Sequence, residues 1–229
     1  MNRAIAIRKD DNYNEIAELT LPSIKKYVDK CKTDLIFISD CKGYHPHYRI
    51  LQFWELFDTY DQILSLDIDV LIRSDCPDIF KYSELCSCGD KSPILYSVFE
   101  DKGSRELDRH NRIQFIQDKF GPVDWTEDYI NTGFSLFLKD SKPIFEPVSE
   151  DKLWMDLGYD DVYLMYKIHQ LGLQDRVFEL PCSFNHMSLF NEWFNPQNSF
   201  VLHFAGMGQL FGQKSRIDNI KYALEHWYK

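Results

Sequence analysis

The stretch YDQILSLDIDVLI, residues 60–72, restricts the fold of this chain more than any other. It sets Asp67 and Asp69 inside an otherwise apolar run of Ile, Leu and Val. Ionised carboxylates are costly in an apolar strand unless they are paired or bound to a metal. The run therefore reads as a buried strand, QILSL, that ends at Asp67 and hands both acids to the rim of a sheet. In open α/β sheets, ligands bind beyond the carboxyl ends of the strands.

The flanking sequence supplies such a sheet. AIAIR at 4–8 and LIFIS at 35–39 read as strands, and between them IAELTLPSIKKYVDKC places Ile16, Leu19, Ile24 and Val28 near helical spacing. Strand, helix, strand is the unit of a parallel α/β sheet. Pro22 is expected to kink or restart the first helix. HYRILQFWELFDTY reads as a second helix with Ile50, Phe53, Trp54 and Phe57 on one face. Further strands are expected at 93–99 and 130–139, with a brief strand and a turn in VLIRSDCPDIF, a last buried strand in FVLHFAGMG that ends in His, and helices in YDDVYLMYKIHQLGL and in the tail IDNIKYALEHWYK. The segment 100–128 is polar, partly helical, and expected over one face of the sheet. With no repeat or linker in the 229 residues, a single domain is expected.

The charge balance excludes some classes. A formal net charge of −10 argues against a general nucleic-acid binder, which would present a basic face. No apolar stretch reaches the roughly 18 to 20 residues of a transmembrane span. The apolar part of MNRAIAIRKDD is too short for a secretory signal, so a soluble, cytoplasmic chain is expected. The six cysteines are then expected as free thiols. CKGYHPH offers Cys41, His45 and His47 but no clear fourth ligand, so it does not read as a zinc site.

Small polar clusters follow the apolar strands or precede helices: RKDDNY after the first strand, DID after the third, NTG opening the strand at 130–139, DD at a helix start, and HFAG ending the last strand. Taken singly, each has a plain structural explanation. Asp favours turns and caps, a lone His is usually a hydrogen-bonded core residue, and Tyr13 could anchor the first helix. Together at one sheet edge they make a ligand site.

With these motifs in this order, the chain resembles the GT-A glycosyltransferases, within them the glycogenin-like and bacterial lipopolysaccharide galactosyltransferase class. The resemblance spans about residues 4–209 and implies an α/β, Rossmann-like GT-A domain with a mostly parallel sheet flanked by helices. Residues 1–100 would be its nucleotide-binding half and 101–229 its sugar and acceptor half. It implies transfer of a sugar from a nucleotide-sugar donor, UDP-linked, to a glycan or glycoconjugate hydroxyl, assisted by Mn²⁺ or Mg²⁺ that neutralises the diphosphate leaving group. Asp69 and His203 would be metal ligands, and Asp67 would contact the metal, the ribose or both. Tyr13 would stack on uracil with Asp10 and Asn12 at its polar edge. Arg8 and Arg49 would meet the donor, Asn131 and Gly133 would line the sugar pocket, and Gly206 and Lys214 would complete the donor side. The chain is also compatible with being one module of a longer enzyme.

Two departures from that pattern matter. Where the class carries a phosphate-binding lysine after its His-x-x-Gly, this chain has Gln209, leaving Lys214 or Arg216 to reach in. Where retaining members carry Gln between two acids, YDDVY places Asp161, with Asp160 in that role after a one-residue slip. A carboxylate accepts a proton and an amide does not, so Asp161 is expected to act as general base in an inverting transfer. Trp125, Trp154 and Trp193 suit either a sugar-stacking acceptor surface or core packing. The competing readings are a haloacid-dehalogenase-like phosphatase, a nucleotidyltransferase, and a non-catalytic carbohydrate-binding protein. Leu71 stands where the phosphatase motif wants Thr or Val, and RKDDNY lacks the glycines of a nucleotidyltransferase phosphate loop.

Overall fold

The computed structural model describes residues 1–9, 11–82, 92–100, 106–126, 129–149, 159–206 and 209–228. Eight strands are present among them: β1 (Arg3–Arg8), β2 (Asp34–Ile38), β3 (Gln62–Asp67), β4 (Val70–Ile72), β5 (Leu95–Phe99), β6 (Ile130–Leu138), β7 (Val177–Glu179) and β8 (Val201–His203). The principal helices are α1 (Asn14–Cys31), α2 (Phe53–Leu56), α3 (Glu106–Phe120), α4 (Asp160–Gln170) and α5 (Arg216–His226). Six strands form one sheet in the order β2-β1-β3-β6-β5-β7, and β4 pairs with β8 in a second, two-stranded sheet. Only β6 runs against its neighbours in the large sheet. That reversal brings the start of β6, not its end, to the edge where β1 and β3 finish.

Why these strands read as continuous apolar runs is clear from the two cores. Ala6, Ile63, Leu95 and Phe137 face one core, while Ile5, Ile7, Leu64, Leu66, Phe134 and Leu136 face the other. A strand covered on both faces has no polar side to alternate with. A third cluster packs Ile220 and Ala223 of α5, and Trp227 just beyond it, against Leu71 of β4 and Leu202 of β8. Among the described residues, no helix is long and apolar enough to cross a membrane.

Three sequence expectations are corrected. Helix α1 is continuous through Pro22 and does not restart there. Its buried face carries Ile16, Ile24, Tyr27 and Val28, each worth about 1.5–3 kcal/mol on burial, which together outweigh a proline cost of about 3 kcal/mol. The expected second helix is a 3₁₀ segment, Pro46–Gln52, followed by the single turn of α2. Tyr48, Arg49, Ile50 and Leu51 are all buried there, so no one-sided face exists for a 3.6-residue period to serve. The last strand ends at His203 as expected, but it pairs with β4 instead of joining the main sheet.

Candidate active site

Strand β3 stops at Asp67, and the chain turns through Ile68 and Asp69 into β4. Polar side chains of α1 grip this turn. Thr20 Oγ1 donates to the Ile68 carbonyl at 2.6 Å, and Ser23 Oγ accepts from the Ile72 N–H at 3.2 Å. The antiparallel pairing of β4 with β8 sets His203 opposite Val70, and the Phe204 N–H donates to the Asp69 carbonyl at 3.0 Å. One ligand atom each from Asp67, Asp69 and His203 therefore lies within 4.8 Å of the others. His203 Nε2 is 3.5 Å from Asp67 Oδ2 and 3.4 Å from Asp69 Oδ1.

The imidazole is aimed from behind. His203 Nδ1 is 2.9 Å from Asn185 Oδ1, and Asn185 Nδ2 donates to Asn131 Oδ1 at 2.8 Å. Such a partner fixes the tautomer and leaves Nε2 toward the acids. Gly133 completes the seat. A Cβ there would lie 2.2 Å from His203 Cε1, so no side chain fits. Burial alone would lower the His203 pKa, but hydrogen bonds to Asp67 and Asp69 push it up to about 9. Two carboxylates and an imidazole converging in this way fit a divalent ion. Carboxylate oxygens suit Mn²⁺ and Mg²⁺, and adding an imidazole nitrogen favours Mn²⁺.

Arg8 is the second pivot. It stands opposite Asp67 in the β1–β3 register. Its guanidinium donates to Asp67 Oδ1 at 2.6 Å, to Asp160 Oδ2, and to Thr132 Oγ1 at 3.0 Å. Thr132 Oγ1 in turn donates to Asp160 Oδ2 at 2.9 Å. Burial opposes the Arg8 charge, yet Asp67 and Asp160 more than offset it and raise its pKa. Asp67, also penalised by burial, is held below the usual carboxylate range by Arg8 first and His203 next. Arg8 and Asp160 are both buried, and stranding one partner of such a pair costs about 3–5 kcal/mol.

These groups line a cleft of about 540 Å³ whose walls also carry Tyr13, His47, Arg49, Glu100, Arg112 and Asp161. Asp161 follows Asp160 in the first turn of α4. Burial, then the neighbouring Asp160 and Glu100, push its pKa well above the ordinary carboxylate range against the pull of the Val162 N–H and Arg112. On the far side, Arg216 Nη1 lies 3.1 Å from Asp69 Oδ2, and its guanidinium sits 5.9 Å from the Tyr13 ring centroid. Arg216 also donates to the carbonyl of Gly206, a residue at φ +60°, where glycine is favoured.

No protein-family model matches this sequence, and none of the curated proteins does. Solved structures do. The galactosyltransferase LgtC, seen in complex with donor and acceptor sugar analogs, is 17% identical with a TM-score of 0.59, over 98% of this chain and 94% of that one. A glycosyltransferase involved in glycosylation of the major capsid of PBCV-1 is 13% identical with a TM-score of 0.58, over 97% and 100%. The bifunctional glycosyltransferase WbbM reaches a TM-score of 0.62 at 13% identity, over 99% of this chain and 50% of that one. The chain has the GT-A glycosyltransferase fold.

On this GT-A scaffold the cleft gathers Arg8, Tyr13, Arg49, Asp67, Asp69, Asn131, Asp160, Asp161, His203 and Gly206. Asn12 and Lys214 are not among its lining residues; of the two basic residues expected there, Lys214 or Arg216, the cleft is lined by Arg216 of α5. Gly133 also lies off the lining, because it backs His203. Trp125 is a core residue, 3% exposed and stacked on His169. Asp10 and Trp154 lie outside the described residues. Sequence reasoning missed Asn185, Thr132, Glu100 and Arg112. Asn185 carried a faint signal, an amide between Phe184 and His186 in an apolar stretch. Arg112 carried none, since it reaches the cleft from a polar helix.

Proposed function

We propose that this chain is a metal-dependent glycosyltransferase that moves a sugar from a UDP-linked donor to a hydroxyl of a glycan or glycoconjugate. The observation that carries this reading is the convergence of Asp67, Asp69 and His203 within 4.8 Å at one sheet edge of a GT-A fold. Asp67, Asp69 and His203 would hold the ion. Bound there, Mn²⁺ or Mg²⁺ neutralises charge on the diphosphate as the glycosidic bond breaks. Arg216 adds a second cation at the same corner, in place of the lysine that Gln209 cannot imitate. Tyr13 offers a ring face to the base, and Arg49 and Asn131, which line the same cleft, meet the donor.

Asp160 is spoken for by Arg8 and Thr132, which makes it a positioning group. Asp161 is the base. It takes the proton of the acceptor hydroxyl as that oxygen bonds to the anomeric carbon, while the carbon–oxygen bond to the diphosphate breaks and UDP leaves. Its raised pKa brings its proton affinity toward the working pH of a general base. Displacement from the opposite side inverts the anomeric configuration. A phosphatase of the haloacid-dehalogenase type would use Asp67 as nucleophile, but that carboxylate is tied to Arg8 and His203.

The test is a thermal-shift and hydrolysis series with UDP-sugars. UDP with Mn²⁺ is expected to raise the melting temperature, and UDP-sugar hydrolysis is expected to stop with EDTA. NMR of the transfer product is expected to show the inverted anomer. Absence of any Mn²⁺-dependent UDP binding overturns the transferase reading, and a retained anomer overturns the role of Asp161.

A further inference from the structure

We propose that Asn219 is a positioning residue for the transfer reaction, shaping the chain so that Arg216 reaches the metal corner and the diphosphate. The inference rests on the transferase reading above and deepens it by naming what sets Arg216 in place. The chain leaves the cleft at Gln209 and re-enters it at Arg216, both of which line its wall. Between them, residues 211–215 form neither strand nor helix, so their backbone groups need partners other than a ladder. Asn219, in the first turn of α5 and 0% exposed, supplies them. Its Oδ1 accepts from the Phe211 N–H at 2.8 Å and the Gln213 N–H at 3.4 Å. Its Nδ2 donates to the Ser215 carbonyl at 2.8 Å and to the Gln213 carbonyl at 3.2 Å.

A side-chain amide carries two N–H donors and an oxygen with two lone pairs, and here every one of them meets a main-chain group of one short segment. Turning the amide over would set oxygen against carbonyls and nitrogen against N–H groups, so its orientation is fixed. The ends of the segment are tied as well. The Leu210 carbonyl accepts from Asn191 Nδ2 at 2.9 Å, and Ser215 caps α5 through the Asp218 N–H. Arg216 follows that cap directly. Its guanidinium meets Asp69 Oδ2 at 3.1 Å, sits 5.9 Å from the Tyr13 ring centroid, and donates to the Gly206 carbonyl. A long, flexible side chain meets three targets in one geometry only when the backbone that carries it is held. Core packing accounts for the neighbouring Ile220 and Ala223, which belong to the third apolar cluster. It does not account for an amide at the same depth, because an apolar side chain would fill the volume and strand the N–H and carbonyl groups of 211–215. The amide therefore shapes the segment, and Arg216 is the cleft residue that the segment delivers.

The test is a double-mutant cycle on the full chain, with UDP and Mn²⁺ as probes and calorimetry as the readout. Asn219→Ala is expected to weaken UDP binding in the presence of Mn²⁺ at least threefold when Arg216 is intact, and less than 1.5-fold when Arg216 is already Ala. A residue that served stability alone would act equally in both backgrounds. Mn²⁺ without nucleotide is expected to bind more tightly to Asn219→Ala, the direction in which loss of Arg216 acts. Melting temperatures report folding, and if Asn219→Ala does not fold, Asn219→Ser, which keeps one donor and an acceptor, carries the same cycle. A ligand-free measurement stands beside it: ¹⁵N relaxation of the Arg216 Nε–H, assigned by its disappearance in Arg216→Ala, is expected to be ordered in the parent and mobile in the Asn219 variant. Equal weakening of UDP in both backgrounds, or an Arg216 Nε–H that stays ordered without Asn219, overturns the positioning role. A parent chain that ignores UDP and Mn²⁺ overturns the transferase reading instead, and the relaxation measurement still decides whether Asn219 holds Arg216.

Discussion

Nη1 of Arg216 lies 3.1 Å from Oδ2 of Asp69, which joins the first turn of α5 to the turn that follows β3. The contact is built by three independent features. Ser215 caps α5 through the Asp218 N–H at 3.1 Å, the third apolar cluster seats the helix on β4 and β8, and the Gly206 carbonyl accepts from the guanidinium. Arg216 thus occupies one oxygen of a carboxylate whose other oxygen faces His203.

Arg216 competes with a divalent ion for Asp69 and cooperates with it once phosphate arrives. Replacing Arg216 by Ala is therefore expected to act in opposite directions. Without nucleotide, Mn²⁺ affinity should rise several-fold. With UDP present, nucleotide affinity should fall about tenfold or more, the loss of a charge-assisted hydrogen bond of about 1.5–3 kcal/mol. Calorimetry of each ligand separately and together checks both signs. A drop in both would mean that Arg216 merely holds the fold.

Metal binding should depend on pH through His203. Its pKa is raised from 6.5 to about 9, so the ion must displace a proton below that pH. Mn²⁺ affinity is expected to climb about tenfold per pH unit from 6 to 8 and level off near 9. The metal-free fold should respond the other way. A raised histidine pKa stabilises fully below the unfolded value of 6.5, and that stability is lost as pH rises through about 9. Calorimetric titrations at several pH values, beside melting curves of the EDTA-treated chain, measure the two trends.

Gly133→Ala is expected to damage the metal centre without touching a ligand. The new methyl would lie 2.2 Å from the His203 ring, which must swing off Asn185 or push the strand. A loss of about 1–3 kcal/mol in stability is expected from such overpacking, together with at least tenfold weaker Mn²⁺ binding. Asn185→Leu should leave packing closer to native and still weaken Mn²⁺ about 10–100-fold, because it releases the imidazole from its tautomer. Manganese titration of the two variants separates aiming from bulk.

Asp161→Asn tests the base and its environment in one variant. A carboxyl with a raised pKa binds its proton more tightly folded than unfolded, so ionising it costs stability as pH rises through the raised value. The melting temperature of Asp161→Asn should therefore exceed that of the parent increasingly as pH rises from the ordinary carboxylate range toward the raised pKa. Transfer by the parent should be lost as pH falls through the raised pKa of Asp161, well above the usual carboxylate range, and the variant should lose about 10²–10⁴ in rate.

Much of this architecture was written locally. The apolar runs of β1, β3 and β6, each closed by polar residues at the same edge, follow from burial of both sheet faces and need no knowledge of the partner strands. Asp67 and Asp69 announced themselves because carboxylates in an Ile-Leu-Val run demand a reason, and His203 because it ends such a run before glycines. What the chain could not declare was the arrangement in space. The reversal of β6 carries Asn131 and Thr132 to the edge, the pairing of β4 with β8 brings His203 onto Asp69, and α5 decides between Lys214 and Arg216 by setting Arg216 there. Asn185 acquires a role only through its contacts with Asn131 and His203, 54 and 18 residues distant. Propensity and hydrophobic pattern act over a few residues, whereas a site depends on long-range register, and register is decided only when the cores close.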